Sequence, residues 1–257
     1  PHVWNTCKVQ NFDGSLLFCW PGRQHEDALL LMSHQDVVPA EGVWEHEPFS
    51  GDIDETGRVW GRGTVDTKAS LMCIFTAVEE LIAEGYVPSC DVYIASSCTE
   101  EWSGPSAPAI VDWLKEHHVH LGMLLDEGGM ILEAPIAGAK GLYAMVGTVE
   151  KGYADVKFTA RSNGGHASAP RPNSPIAVLS RACLRLEKRP FKAHIEGPAA
   201  QMFDTLGRYS TPLYRVIFAN MWCFGWVIDL LGKMSGGEIN ALVRTTSAFT
   251  QMEGSSA

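Results

Sequence analysis

The chain has 257 residues, enough for one large or two moderate domains. Hydrophobic residues make up 46% of it and charged residues 19%, an ordinary balance for a globular protein with a sizeable core. The net charge of −10 argues against a nucleic-acid partner, which calls for clustered Lys and Arg.

In chain order, residues 29 to 35 read as a buried strand that ends in the segment "SHQD". The stretch "DTKASLMCIFTAVEELIAEG" (66 to 85) carries apolar residues at helical spacing and stops at Gly85. A strand follows at 91 to 98 ("DVYIASSC"), then a helix at 107 to 118, then a strand at 121 to 129 that ends in Gly-Gly. Strand and helix alternating at this spacing predict an α/β fold with a mostly parallel sheet flanked by helices. The pattern changes near residue 148. The stretch "VGTVEKGYADVKFTARS" reads as two alternating strands joined at Lys151-Gly152, followed by a helix from Pro175 to Lys188 and further helix. The segment "ALVRTTSAFTQM" (241 to 252) is strand-like. A second, α+β domain is therefore expected, with the division 1–147 and 148–257.

The most apolar window, residues 213 to 231, contains Arg215, Asn220 and Asp229, which a bilayer would bury at considerable cost. An amphipathic or core helix is expected there, and no membrane span. Its aromatics, in "FANMWCFGWV", are expected to pack in a core, the alternatives being a substrate surface or a dimer contact. Cys7, Cys19, Cys73, Cys90, Cys98, Cys183 and Cys223 show no CxxC spacing and read as free thiols of a reducing compartment, hence a cytoplasmic location. The chain starts at Pro1 without a methionine or a signal-like segment, so a leader lost upstream is an open expectation.

In an open α/β sheet, ligands bind beyond the carboxyl ends of the strands. Here the predicted strand ends carry His34 and Asp36, then Glu100 and Glu101, then Asp126, while Asp66 follows the glycine-rich turn "GRGTVD". Each alone has a plainer reading. His34 could be a satisfied core histidine, Asp66 a helix cap, Glu100-Glu101 a solvated loop, and Asp126 a turn residue. Together they place carboxylates and an imidazole on one rim, which two adjacent divalent cations would explain. Alternation puts His34 and Asp36 on one side of the strand, so Asp36 could hold one imidazole nitrogen while the other binds metal. Of two neighbouring glutamates, one can ligate while the other acts as general base.

With these pieces in place, the chain resembles the M20 metallopeptidase family of aminoacylases and carboxypeptidases. The resemblance rests on "SHQDVVP", "PFSG" after a tryptophan, "GRGTVDTK", "CTEEWSG", "LLDEGG", "GGHASAP" and "RTTSAFTQMEGS", in the family's order along nearly the whole chain. The tryptophan-containing "PFSG" segment and "LLDEGG" are most similar to the carboxypeptidase S branch.

The resemblance implies a zinc-peptidase-like sheet with an inserted lid and dimerisation domain, and two Zn²⁺ ions, with Co²⁺ or Mn²⁺ as substitutes. It implies that His34 and Asp126 hold one ion, Glu101 the other, and Asp66 both. Glu100 would be the general base, Asp36 would orient His34, and His166 in the lid would stabilise the oxyanion. The implied substrate is a small peptide or N-acyl amino acid, and the implied assembly a homodimer through the lid. The family also uses a second zinc histidine in a longer catalytic domain. The chain ends before such a residue, so a fragment short of one ligand, inactive by itself, is expected. A metal-binding or dimerisation module without catalysis is the alternative reading.

Overall fold

A computed structural model describes residues 1–254 other than 137 and 236, in two units, one from Pro1 to Gly128 and one from Gly129 onward. The first unit begins with a one-turn helix α1 (His2–Thr6) and a hairpin of β1 (Lys8–Phe12) and β2 (Ser15–Trp20). The expected elements follow: β3 (Gln24–His34), α2 (Ala69–Ala83), β4 (Cys90–Ser97), α3 (Ser106–Glu116) and β5 (Leu121–Leu125). The strand order is β1-β2-β4-β3-β5. β3 pairs in parallel with β4 and β5, whereas β2 runs antiparallel to both β1 and β4. Four strands thus share one direction and β2 opposes them, which is the one departure from an all-parallel sheet.

The hairpin turns at Asp13-Gly14, where both residues have positive φ, 51° and 104°. A two-residue turn of this kind matches the right-handed twist of the flanking strands. Strand β4 is the centre of the sheet and is buried on both faces from Asp91 to Ser96, as a strand covered by helices on either side must be. On one face Phe18, Trp20, Val92 and Ile94 pack with Val78 of α2 and Val3 of α1. Phe18 meets the rings of Trp4 and Phe75 edge-on, each at 5.1 Å. On the other face Leu17, Leu30, Tyr93 and Ala95 pack with Ile110 and Leu114 of α3. Alternation along β2 separates Leu17 from Phe18 and so supplies one residue to each core.

The second unit opens with a short hairpin of β6 (Met130–Glu133) and β7 (Leu142–Met145). Helix α4 spans Pro175–Lys188, as its pattern predicts. Pro175 sits in its first turn, and the Ser174 hydroxyl accepts a hydrogen bond from the Ala177 N–H. Helices α5 (Gly197–Arg208), α6 (Pro212–Ala219), α7 (Met221–Ser235) and α8 (Gly237–Val243) follow. Their core holds Phe203, Phe218, Ile228 and Val243.

Three expectations change here. The stretch 146 to 165 forms no strand, and Val149, Tyr153 and Val156 of its alternating pattern are exposed. Alternation makes a strand only where a neighbour takes up its backbone groups, and among the described residues none pairs with it. The strand expected at 241 to 252 is instead the end of α8 followed by irregular chain. The apolar window 213 to 231 is broken at Asn220 into α6 and α7, bent by 110°. Phe218 packs in the core, but Trp222 and Trp226 are exposed, so core packing accounts for only part of that aromatic run. Among the described residues no single helix is long and apolar enough to cross a membrane. All seven cysteines are free.

Candidate metal centre

The carboxyl ends of β3, β4 and β5 lie side by side because the three strands are parallel and in register: Leu31 is opposite Ile94 on one side and Leu125 on the other. His34 is the last residue of β3 and is almost wholly buried, at 1% exposure. Its Nδ1 lies 3.0 Å from the Asp36 backbone carbonyl, an oxygen that can only accept. Nδ1 therefore carries the proton in the neutral ring, and Nε2 presents a lone pair toward the rim.

Around Nε2 are Asp66 Oδ1 at 3.1 Å, Glu127 Oε2 at 3.2 Å and Glu100 Oε2 at 3.7 Å. Asp66 belongs to a kinked turn, Thr64–Lys68, that precedes α2. This turn is held to the end of β3 by two bonds: the Ser33 hydroxyl donates to the Thr67 carbonyl (3.2 Å), and the Lys68 ammonium donates to the Gln35 carbonyl (2.6 Å). Helix α2 is capped at Lys68 without a side-chain bond, so the Asp66 carboxylate is not spent on capping and faces His34.

Donor oxygens of Asp66 and Glu127 and a nitrogen of His34 all lie within 4.8 Å of one another. An imidazole lone pair and two carboxylates form a donor set that divalent ions of the zinc type accept. The chemistry of these donors fits a metal, and the electrostatics point the same way. Burial raises the Glu100 carboxyl above its ordinary range, His34 pulls it back, and Glu101, Asp36 and Asp66 push it further up. Glu127 is likewise raised, first by burial and then by Asp66 and Glu100, against the pull of His34 and Thr67. Burial alone would lower His34, but the Asp36 carbonyl, Asp66, Glu127 and Glu100 together raise it. A cation among these groups would relieve repulsion that the imidazole and the Thr67 hydroxyl offset only in part.

The structure therefore brings together His34, Asp66 and Glu100, and it adds Glu127, which the sequence reading did not single out. Asp126 lies beside the cluster, with its carboxylate accepting from the Glu127 N–H at 2.9 Å. Glu101 accepts from the Val38 N–H at 3.3 Å. Extending the alternation of β5 past Leu125 would put Asp126 on the face of His34, since Leu31 and Leu125 are partners. The ladder stops at Leu125, the chain turns, and the next carboxylate reaches the imidazole instead.

Asp36 also acts differently from expectation. Its carbonyl, not its carboxylate, holds the imidazole, and carboxylate Oδ1 stands 3.5 Å from Nδ1. The carboxylate accepts from the backbone N–H of Glu100 (3.2 Å) and of Glu101 (3.0 Å). Asp36 thus ties the end of β3 to the glutamate pair after β4.

Histidines 117 and 120 lie at the opposite end of the sheet, before β5. His117 stacks on Trp113, and His120 pairs with Asp27 at 2.7 Å. In the second unit His166 is exposed, and its Nδ1 accepts from the Ser168 N–H at 3.2 Å, with the Ser168 hydroxyl at 2.8 Å. The neutral ring then carries its proton on Nε2 as a free donor.

The model of peptidase family M20/M25/M40 matches residues 30–221. A probable carboxypeptidase S-like 2 of Dictyostelium discoideum is 37% identical over 92% of this chain and 46% of its own length. An N-fatty-acyl-amino acid synthase/hydrolase PM20D1.1 of Danio rerio is 39% identical over 86% of this chain and 43% of its own length. Carboxypeptidase S of Saccharomyces cerevisiae is 31% identical over 99% of this chain and 46% of its own length. The chain thus spans about half the length of the curated relatives it matches.

Proposed function

Because the chain belongs to peptidase family M20/M25/M40, we propose that it serves metal-dependent hydrolysis of the amide bond in a small peptide or N-acyl amino acid. The observation that carries this reading is the placement of Glu100 beside, but outside, the trio His34, Asp66 and Glu127. A pure binding site has no use for a spare carboxylate with a raised pKa, whereas hydrolysis needs one to move a proton. The printed descriptions of the relatives, carboxypeptidases and N-fatty-acyl-amino acid hydrolases, support the substrate class.

In this reading His34, Asp66 and Glu127 would hold a divalent ion, zinc by family habit, with Asp126 next to them. Glu101, with Asp66, would help to hold a second. Bound ions of this kind supply a water acidified toward neutral pH and a polarised carbonyl. The protein's own groups do the rest. Glu100 accepts the proton of the attacking water and hands it to the leaving nitrogen as the carbon–nitrogen bond breaks, leaving a carboxylate and an amine. The Asp36 carbonyl keeps the His34 lone pair on Nε2. The Asp36 carboxylate holds the backbone from which both glutamates project.

From residue 148 onward the chain forms part of a lid through which two copies pair. There the Nε2 proton of His166 is offered to the oxyanion, supported by the tautomer that Ser168 imposes. The test is Glu100→Gln in the full-length gene product, assayed with zinc on dipeptides and N-acyl amino acids. Zinc binding should persist while turnover falls at least 100-fold. Near-normal turnover would remove Glu100 from the reaction. Tight zinc binding by the unsubstituted protein without hydrolysis of any substrate would favour a binding module.

A further inference from the structure

Beneath the glutamate pair lies a chain of hydroxyls, two buried and one half-buried, that neither the metal-binding trio nor the proton transfer uses. Ser15, the first residue of β2, is fully buried, and Ser106, the first residue of α3, is 4% exposed. Their hydroxyl oxygens are 2.6 Å apart, and Ser106 Oγ is also 2.6 Å from Thr99 Oγ1. Ser15 Oγ donates to Cys98 Sγ at 3.1 Å and accepts from the Cys98 N–H at 3.0 Å. Thr99 Oγ1 accepts from the Ser106 N–H at 3.2 Å, and Cys98 Sγ donates to the Asp13 carbonyl at 3.7 Å.

Proton counting gives this chain a direction. A hydroxyl has one proton, and Ser15 gives its proton to Cys98. The short contact between Ser15 and Ser106 then needs Ser106 as the donor, and the contact between Ser106 and Thr99 needs Thr99 as the donor. Each proton is used once, along Thr99, Ser106, Ser15, Cys98 and the Asp13 carbonyl. Such a chain is cooperative, and removing a middle member leaves buried partners unsatisfied on both sides.

Its two ends explain its place. One end is Thr99, which immediately precedes Glu100 and Glu101 and whose carbonyl accepts from the Gly104 N–H at 2.7 Å. The other end is the Asp13-Gly14 turn, and Gln35, next to His34, also donates to the Gly14 carbonyl at 3.1 Å. The turn between β1 and β2 therefore braces the His34 strand end directly and the glutamate loop through the hydroxyls. Asp36 clamps the glutamate backbone from the other side.

We infer that Ser15, Thr99 and Ser106 are positioning residues, and that their hydroxyl chain holds the loop carrying Glu100 and Glu101 in register with His34. The inference rests on the proposed hydrolysis for its kinetic consequence but not for its structural one. The experiment compares, in the full-length gene product, Ser106→Ala, Ser106→Thr and the near-isosteric Thr99→Val with the unsubstituted protein. Amide hydrogen exchange at Glu100 and Glu101, zinc affinity, and kcat and KM for an N-acyl amino acid are measured on each.

Ser106→Ala and Thr99→Val should exchange those two amides at least tenfold faster and lower kcat at least tenfold with KM within about twofold. Ser106→Thr, which keeps the hydroxyl, should restore both. If Ser106→Ala does not fold, Thr99→Val carries the same comparison. Unchanged exchange and kcat in a folded Ser106→Ala or Thr99→Val protein would overturn the inference, as would a Ser106→Thr protein as impaired as Ser106→Ala. If the unsubstituted protein hydrolyses nothing, the proposed function fails, and the exchange comparison still decides the role of the hydroxyls.

Discussion

Removing the Asp36 carboxylate should loosen the site and weaken the fold by a predictable amount. The carboxylate accepts two backbone bonds, from Glu100 N–H at 3.2 Å and Glu101 N–H at 3.0 Å, across a separation of more than sixty residues. A hydrogen bond to a charged group contributes about 1.5–3 kcal/mol, and loss of the acceptor leaves the donors to find water. The Glu100 amide is open to solvent and the Glu101 amide is partly buried, so the lower end of that range applies to each.

Asp36→Ala should therefore cost about 3 kcal/mol. Asp36→Asn, which keeps one carbonyl oxygen but no charge, should cost roughly half as much. Urea denaturation read by tryptophan fluorescence measures both, with the slope unchanged and the midpoint lowered in the order Ala, Asn, unsubstituted. Both variants should keep the His34 tautomer, because the bond to Nδ1 comes from the backbone carbonyl. If Asp36→Ala is as stable as the unsubstituted protein, the tie between the β3 end and the glutamate loop contributes nothing and the reasoning fails.

Other perturbations test other parts of the account. Phe18→Ala should destabilise the first unit by about 3–5 kcal/mol by opening a cavity between Trp4 and Phe75, read as the same urea midpoint. Zinc affinity should fall on acidification from above the ordinary imidazole pKa. His34 is raised and must be neutral to ligate, and the raised Glu100 and Glu127 must also shed any protons they hold; calorimetric titration across pH checks this. Bonds from the Thr56 hydroxyl, the Trp60 indole and the Arg58 N–H hold Asp54 well below the usual carboxylate range. The stabilisation this gives the 52–60 loop is present above the ordinary carboxylate pKa and is lost only as pH falls through the depressed one. The Trp60 indole N–H resonance should therefore stay in place through mild acid and shift only in strong acid.

Much of this protein is legible in its sequence, because periodicity and strand-end placement are local signals. The helix Pro175–Lys188 announces itself through a Ser-Pro start and helical spacing. Strands β4 and β5 are short apolar runs between turn residues, and β3 is marked by its apolar part, residues 28 to 32, although it starts earlier, at the exposed polar segment 24 to 27. The meeting of His34 and Glu100 follows from one topological fact, that parallel strands deliver their carboxyl ends to one rim. Asp66 joins them from the turn before α2, which the Ser33–Thr67 and Lys68–Gln35 bonds hold against β3.

The misses share a cause: they depend on where pairing stops or on contacts distant in sequence. Glu127 replaces Asp126 beside His34 because β5 ends one residue too soon for alternation to extend. The N-terminal hairpin has a short-range cue, Asp13-Gly14 between an alternating polar–apolar stretch and the apolar strand β2. The alternation at 149 to 158 suggested strands, but a strand is made by its neighbour, and none of the described residues pairs with that stretch. Trp222 and Trp226 carry no sequence mark that distinguishes them from the buried Phe218.

The central claim, that the ends of three parallel strands assemble a divalent-cation site, is tested most directly by zinc titration of four proteins side by side. The unsubstituted chain should bind zinc, and His34→Ala and Glu127→Gln should each bind at least tenfold more weakly. Asp126→Asn should stay within about twofold, since its carboxylate is turned to a backbone amide. Zinc bound equally well by His34→Ala and Glu127→Gln would contradict the account.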